Sequence, residues 1–104
     1  MGRLTTHVLN TAEGRPATGV GIEVRRDGEL LTRAVTDDDG RTAAPLVDGA
    51  LEPGAYEIVF DVSAHFTRSF YDRIPVRVVI DDPDGHYHVP LLVSPWSYST
   101  YRGS

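Results

Sequence analysis

Short runs of β-forming residues recur along this chain, and turn-forming residues separate them. The run that begins at Val20 alternates apolar residues with more polar neighbours, which is typical of a half-buried strand. Asp27-Gly28 follows that run and supplies the positive φ angles of a two-residue hairpin turn. No window of useful length keeps apolar residues at helical spacing. Seven or eight strands at this spacing predict an all-β sandwich.

The predicted elements fill residues 1–104 as one domain, without repeats, linkers or low-complexity segments. One short helix is predicted from Ser63 to Ser69, with Ser63 as its cap. The run Asp37-Asp38-Asp39-Gly40 is interpreted as a turn, because an EF-hand calcium loop would need a glutamate where Leu46 stands. Strands are predicted at 4–10, 20–26, 30–36, 41–46, 56–60, 76–80, 86–93 and 97–102.

The composition excludes several classes of partner and of mechanism. All ten basic residues are arginines, so a lysine Schiff base or a lysine general base is impossible. Cysteine is absent, which removes disulfides, thiolate nucleophiles and cysteine-based zinc sites. A formal net charge of −5 argues against nucleic acid or an anionic membrane as the main partner. The sequence opens on a strand-like pattern with no apolar signal segment, so we expect a cytoplasmic location.

Four histidines are the remaining candidates for proton transfer at neutral pH. Successive residues of a strand point to opposite faces, so residues two apart share a face. On the strand at 86–93 one face carries two histidines and a proline, which is an unusual surface for a core. If the faces of three strands converge, they form a pocket wall of imidazoles, hydroxyls and a phenol. These faces are Thr5-His7-Leu9, His86-His88-Pro90-Leu92 and Ser97-Ser99-Tyr101.

The histidines also have other interpretations. His7 together with His86 and His88 has the ligand count of a three-histidine zinc site, and the spacing does not separate that site from a metal-free histidine pair. His65 is interpreted as a satisfied or exposed side chain, which is also the ordinary interpretation of His86 beside its turn. Residue types alone therefore predict a β-sandwich with a candidate histidine-lined site.

Three blocks of sequence resemble the transthyretin-like family. The first is Leu-Thr-Thr-His-Val-Leu-Asn at 4–10, followed by Gly-Arg-Pro-Ala at 14–17. The second is Thr36-Asp37 with Asp39-Gly40-Arg41. The third begins at His86 and reaches the ending Tyr-Arg-Gly-Ser at 101–104, which is highly specific. The resemblance covers nearly the whole chain.

The resemblance implies a prealbumin-like sandwich and, of the family's two branches, the one that hydrolyses 5-hydroxyisourate and not the one that carries thyroid hormone. The features of the hydrolase branch are His7, Arg41, His88 and the ending from Tyr101 to Ser104. They imply that the two histidines deprotonate a water and that Arg41 stabilises the oxyanion. Tyr101 would cover the substrate ring, and Ser104 would close the pocket.

The resemblance further implies that no cofactor or metal is needed, and that a homotetramer forms with its sites at the dimer–dimer interface. The chain departs from the family pattern at Asn10, where aspartate is usual, and at Asp72-Arg73, where a Pro-Glu pair is usual. The segment 61–71 is also shorter. One rival is a non-catalytic ligand-binding protein, which predicts no dependence on histidine. Another is a zinc-dependent hydrolase.

Overall fold

The computed structural model describes residues 1–104 as strands joined by turns. The strands are β1 (Gly2–Asn10), β2 (Arg15–Pro16), β3 (Gly21–Arg26), β4 (Glu29–Val35), β5 (Val47–Gly49), β6 (Gly54–Asp61), β7 (Arg73–Ile80), β8 (His86–Val93) and β9 (Tyr98–Thr100). One sheet has the order β2-β1-β8-β9, with β5 also paired to β1, and the other has the order β4-β3-β6-β7. The predicted all-β sandwich is confirmed.

The core lies between the two sheets and is built from alternating residues. In β1 every second residue is buried, and β8 buries Tyr87, Val89, Leu91 and Val93 in the same rhythm. Removing such an apolar side chain from water contributes about 1.5–3 kcal/mol. The fully buried core residues include Leu4, Val8, Ile22, Val24, Ile58, Phe60 and Leu91.

Strands β1 and β8 lie near opposite ends of the chain but are parallel neighbours in the first sheet. A parallel pair needs a long crossover connection, and here all four strands of the second sheet intervene in the sequence. The register pairs Thr5 with His88 and His7 with Pro90. The first and third blocks of the family resemblance therefore lie side by side.

The hairpin predicted at Asp27-Gly28 is present between β3 and β4. Both residues have positive φ angles, 53° and 80° respectively, as this kind of turn requires.

The helix predicted from Ser63 to Ser69 is wrong, because this segment forms turns. Ser63 does not act as a cap: its hydroxyl donates to the carboxylate of Asp61 at 2.6 Å. The amides of His65 and Phe66 both donate to the carbonyl of Val62, and no regular helix follows. The structure contains no helix that could span a membrane.

The segment 63–69 is instead hydrogen-bonded to β1 through His65. The side-chain carbonyl of Asn10 accepts from the amides of Ala12 and Glu13, so the side-chain amide nitrogen of Asn10 points to His65 Nε2 at 2.9 Å. His65 Nδ1 donates to the carbonyl of Thr18 at 2.8 Å. Both ring nitrogens are thus occupied, which agrees with the interpretation of His65 as a satisfied side chain.

Two further boundaries differ from the predictions. Residues 41–46 form no strand, since Thr42 donates to the carbonyl of Ala44 and closes a local turn. The pairing with β1 begins only where the amide of Leu46 donates to the carbonyl of Leu4. With the short β2 and β5, the structure has nine strands. The last strand ends at Thr100, and Gly103 then forms an isolated bridge to His88.

Candidate active site

The outer face of the first sheet carries the side chains of Thr5, His7 and His88, which we call the histidine wall. The inner faces of β1 and β8 are taken by the core, so Thr5, His7 and His88 point to the opposite side. The parallel register sets Thr5 directly beside His88 and places His7 one pair further along. The two histidines are therefore diagonal neighbours on adjacent strands.

Arg41 reaches this wall from the loop that follows the Asp37–Gly40 turn. It lines a depression of about 240 Å³ together with His88, Thr5 and the segment 42–45. The two residues that the resemblance implies as base and oxyanion partner thus border the same space, although 47 positions of chain separate Arg41 from His88.

His88 is held by Thr5 on β1 and by Gly103 in the C-terminal segment. Its Nδ1 lies 2.8 Å from the hydroxyl of Thr5, which leaves Nε2 as the free ring nitrogen. The amide of Gly103 donates to the carbonyl of His88 at 2.7 Å. A Cβ on Gly103 would lie only 2.6 Å from His88 Cδ2. The C-terminal segment therefore packs directly against the imidazole ring.

His7 is hydrogen-bonded to the protein through its other ring nitrogen, Nε2, and not through Nδ1 as His88 is. Its Nε2 lies 2.8 Å from the carbonyl oxygen of Asp39. A carbonyl oxygen only accepts hydrogen bonds, so Nε2 carries the proton, and in the neutral ring Nδ1 keeps its lone pair. The pair consequently offers Nδ1 from His7 and Nε2 from His88 to a bound molecule.

The electrostatics of the wall favour a neutral His88. Burial of the ring lowers the pKa of His88 below its ordinary value, and the positive charge of Arg41 and the neighbouring His7 lower that pKa further. An imidazole that is neutral at neutral pH can accept a proton from water, which a cationic one cannot.

Of the other expected site residues, Tyr101 lies apart from this depression and Ser104 lies close to His88. Tyr101 is 57% exposed and lines a cleft of about 390 Å³ between the sheets, beside Tyr87 and Val89. Ser104 is exposed and follows the Gly103 bridge, so it lies next to the His88 strand. His86 is exposed, and no three histidine or acidic residues come together as a metal site would require.

Sequence reasoning missed the residues that hold the histidines. Thr5 was assigned to the same face as His7, but only the register of β1 against β8 pairs it with His88. The Asp37–Gly40 run is predicted as the turn before Arg41, but its contact with His7 through the carbonyl of Asp39 is not predicted. The available signal was the Asp-x-Asp-Gly pattern directly before Arg41.

Comparison with known proteins finds relatives that belong to one family. A model of the HIUase/Transthyretin family matches residues 4–103. The chain is 49% identical to the 5-hydroxyisourate hydrolase of Deinococcus radiodurans, over 97% of this chain and 95% of that protein. The 5-hydroxyisourate hydrolase structure from Klebsiella pneumoniae has a TM-score of 0.88 and 37% identity, over 100% of this chain and 94% of that chain. An (S)-allantoin synthase structure has a TM-score of 0.93 and 45% identity over 99% of this chain, which spans 44% of that longer chain.

We expect His88 to titrate below the ordinary histidine value of 6.5, so that its neutral form persists as the pH falls past that value. Replacing Arg41→Gln removes one nearby positive charge and should raise the midpoint, while burial and His7 keep it below 6.5. The measurement is the chemical shift of the His88 ring proton as a function of pH. Arg33→Gln, in the second sheet, is the control and should leave the midpoint unchanged. Equal midpoints in wild type and Arg41→Gln would contradict this electrostatic assignment.

Proposed function

The chain belongs to the HIUase/Transthyretin family, and from that premise we propose that it hydrolyses 5-hydroxyisourate with His7, Arg41 and His88 as its active site. The observation that carries this proposal is the shared depression of Arg41 and His88, with His7 on the adjacent strand. Relatives named 5-hydroxyisourate hydrolase match this chain along nearly their whole length. That coverage favours the same activity here.

The substrate is a bicyclic purine oxidation product, and the reaction opens its six-membered ring at a cyclic amide. Water is a poor nucleophile at neutral pH and needs a base. His7 and His88 hold the water between their free nitrogens, and the pair takes one proton as the oxygen attaches to the carbonyl carbon. The carbon–nitrogen bond then breaks, and the departing nitrogen takes up that proton. The product is 2-oxo-4-hydroxy-4-carboxy-5-ureidoimidazoline.

The two imidazoles divide this proton transfer between them. The carbonyl of Asp39 keeps the proton of neutral His7 on Nε2, so Nδ1 is the nitrogen that accepts from water. The lowered pKa of His88 keeps a second uncharged imidazole beside it.

Arg41 stabilises the charge that develops on the carbonyl oxygen. Its planar guanidinium can donate two parallel hydrogen bonds to the carbonyl and nitrogen edge of the ring. A donor of this kind commonly contributes about 3–4 kcal/mol of transition-state stabilisation.

A second copy of the chain completes the pocket in this proposal. Small-molecule sites usually bury about 70–90% of the ligand surface, and the depression at Arg41 is an open feature on one sheet face. A homotetramer in which two such faces meet at the dimer–dimer interface would enclose the ring. Ser104 would close the pocket next to His88. Tyr101 lines another cleft in the single chain, so its proposed contact with the ring depends on assembly.

Three other expectations stay predictions. They are a single domain over residues 1–104, catalysis without a metal or organic cofactor, and a cytoplasmic location. The small-ligand carrier remains the rival function, and it differs from the hydrolase in requiring no histidine for its activity.

The direct test follows the decay of 5-hydroxyisourate generated from urate in the cuvette. Wild-type protein should accelerate the decay, and His88→Ala should reduce the rate by about 10²- to 10⁴-fold because one member of the histidine pair that activates water is lost. His86→Ala is a matched control on the same strand face and should keep full activity, with or without a chelator. Loss of activity in the His86 variant and with chelator would support the zinc enzyme. Decay no faster than background in wild type would make the chain a binding protein.

A second prediction concerns the close approach of the C-terminal segment to His88. In Gly103→Ala the added Cβ would lie 2.6 Å from His88 Cδ2, far inside carbon–carbon contact distance, so the ring or the segment must move. Activity should fall by about 10²-fold, while the melting temperature stays unchanged because the core is untouched. Gly21→Ala is the control, since a Cβ there would make only an ordinary 3.7 Å contact. A fully active Gly103→Ala protein would show that this packing does not orient His88.

A further inference from the structure

Asp37 makes more hydrogen bonds than its turn requires. Its carboxylate Oδ1 accepts from the backbone amide of Asp39 at 2.9 Å and from that of Arg41 at 3.1 Å. Its own backbone amide donates to the carbonyl of Arg41 at 2.8 Å, and its carbonyl accepts from the amide of Gly40 at 2.9 Å. One exposed residue thus binds the backbone of Arg41 on both the amide and the carbonyl side.

The same turn is docked onto His7 and its strand. The carbonyl of Asp39 accepts from His7 Nε2, and the carbonyl of Gly40 accepts from the amide of Val8, both at 2.8 Å. Gly40 has a φ of 73°, and a Cβ there would lie 3.2 Å from His7 Cδ2. The turn is therefore pressed against the imidazole that it orients.

We propose that Asp37 is a positioning residue for the hydrolytic site, which it serves by holding the backbone of Arg41 and the Asp39 carbonyl that fixes His7. This inference rests on the proposed hydrolase function. In this proposal Asp37 acts through the residues that it holds and not by contact with the substrate. It couples two residues on separate elements, so that the guanidinium and the free Nδ1 of His7 keep a constant relation to one another.

A second turn in the chain shows which of these bonds are special. Asp82-Pro83-Asp84-Gly85 has the same Asp-x-Asp-Gly form, and Asp82 Oδ1 accepts from the amide of Asp84 at 2.9 Å. The amide of Gly85 donates to the carbonyl of Asp82 at 3.0 Å, and the carbonyl of Gly85 accepts from Arg3 on β1 at 3.0 Å. In that turn Asp82 makes no hydrogen bond to the backbone of His86, the fifth residue, and no carbonyl of the turn accepts a hydrogen bond from an imidazole. Ordinary turn formation therefore accounts for Asp82 but not for the extra bonds of Asp37.

The test compares Asp37→Ala, Asp37→Asn and Asp82→Ala in two measurements. The first is kcat/KM for 5-hydroxyisourate decay. Asp37→Ala should lose about 10²-fold, as expected when reacting groups are misplaced by about 1 Å. Asp37→Asn keeps the side-chain oxygen that accepts the two amides, so its activity should stay within about threefold of wild type. Asp82→Ala loses the matching turn bond and should keep wild-type activity.

The second measurement is the nitrogen NMR spectrum of His7 in the free protein. Wild type and Asp37→Asn should show a protonated Nε2 and an unprotonated Nδ1, and Asp37→Ala should show a mixture of both tautomers. An unchanged His7 spectrum with wild-type activity in Asp37→Ala would overturn the proposal. Equal losses of activity in Asp37→Ala and Asp82→Ala would overturn it as well, because both would then reflect turn stability. The spectrum needs no substrate, so it reads the role of Asp37 separately from the presence of hydrolase activity.

Discussion

Parallel pairing of β1 with β8 joins the two ends of the chain, and both the core and the site depend on its register. The inner faces of these strands bury Leu4, Val8 and Leu91 completely, each contributing about 1.5–3 kcal/mol by leaving water. A slip by one residue would carry these side chains to the outer face and turn His88 into the core. The hydrophobic effect thus sets the pairing, and the pairing sets Thr5 beside His88. The histidine wall is the outer face of the sheet whose inner face packs into the core.

Backbone groups, together with the side chains of Thr5 and Asp37, orient the candidate active-site residues on that wall. A carbonyl of the Asp37–Gly40 turn fixes the tautomer of His7, and the backbone of Gly103 packs against the ring of His88. Backbone positions are held by many hydrogen bonds at once, which makes them stiffer supports than flexible side chains. Arg41 is secured at its backbone, because its amide donates to the carboxylate of Asp37 and its carbonyl accepts from the amide of Asp37. Preorganisation of this kind is what the proposed hydrolysis of a cyclic amide requires.

The local sequence pattern was sufficient to predict part of this arrangement. Alternation along β1 and β8 predicted their faces, and Asp27-Gly28 predicted its hairpin, because both depend on neighbours in sequence. The segment 63–69 forms turns instead of the predicted helix, and its His65 is hydrogen-bonded to Asn10, a distant partner that no local pattern contains. The tautomer of His7 likewise follows from a carbonyl 32 residues away. Arg41 was expected at the site only through the family resemblance, since an arginine after a turn has no distinctive local pattern.

The measurement that tests the location of the site most directly is a crystal structure with bound urate. Urate has the bicyclic ring of the substrate and lacks the hydroxyl group, so it should bind without being opened. The expected result is urate in the depression beside Thr5, with an edge of the ring hydrogen-bonded to the Arg41 guanidinium and a face or edge within reach of the free nitrogens of His7 and His88. Urate bound instead in the cleft lined by Tyr87 and Tyr101, with the histidine wall unoccupied, would contradict the assignment of the active site.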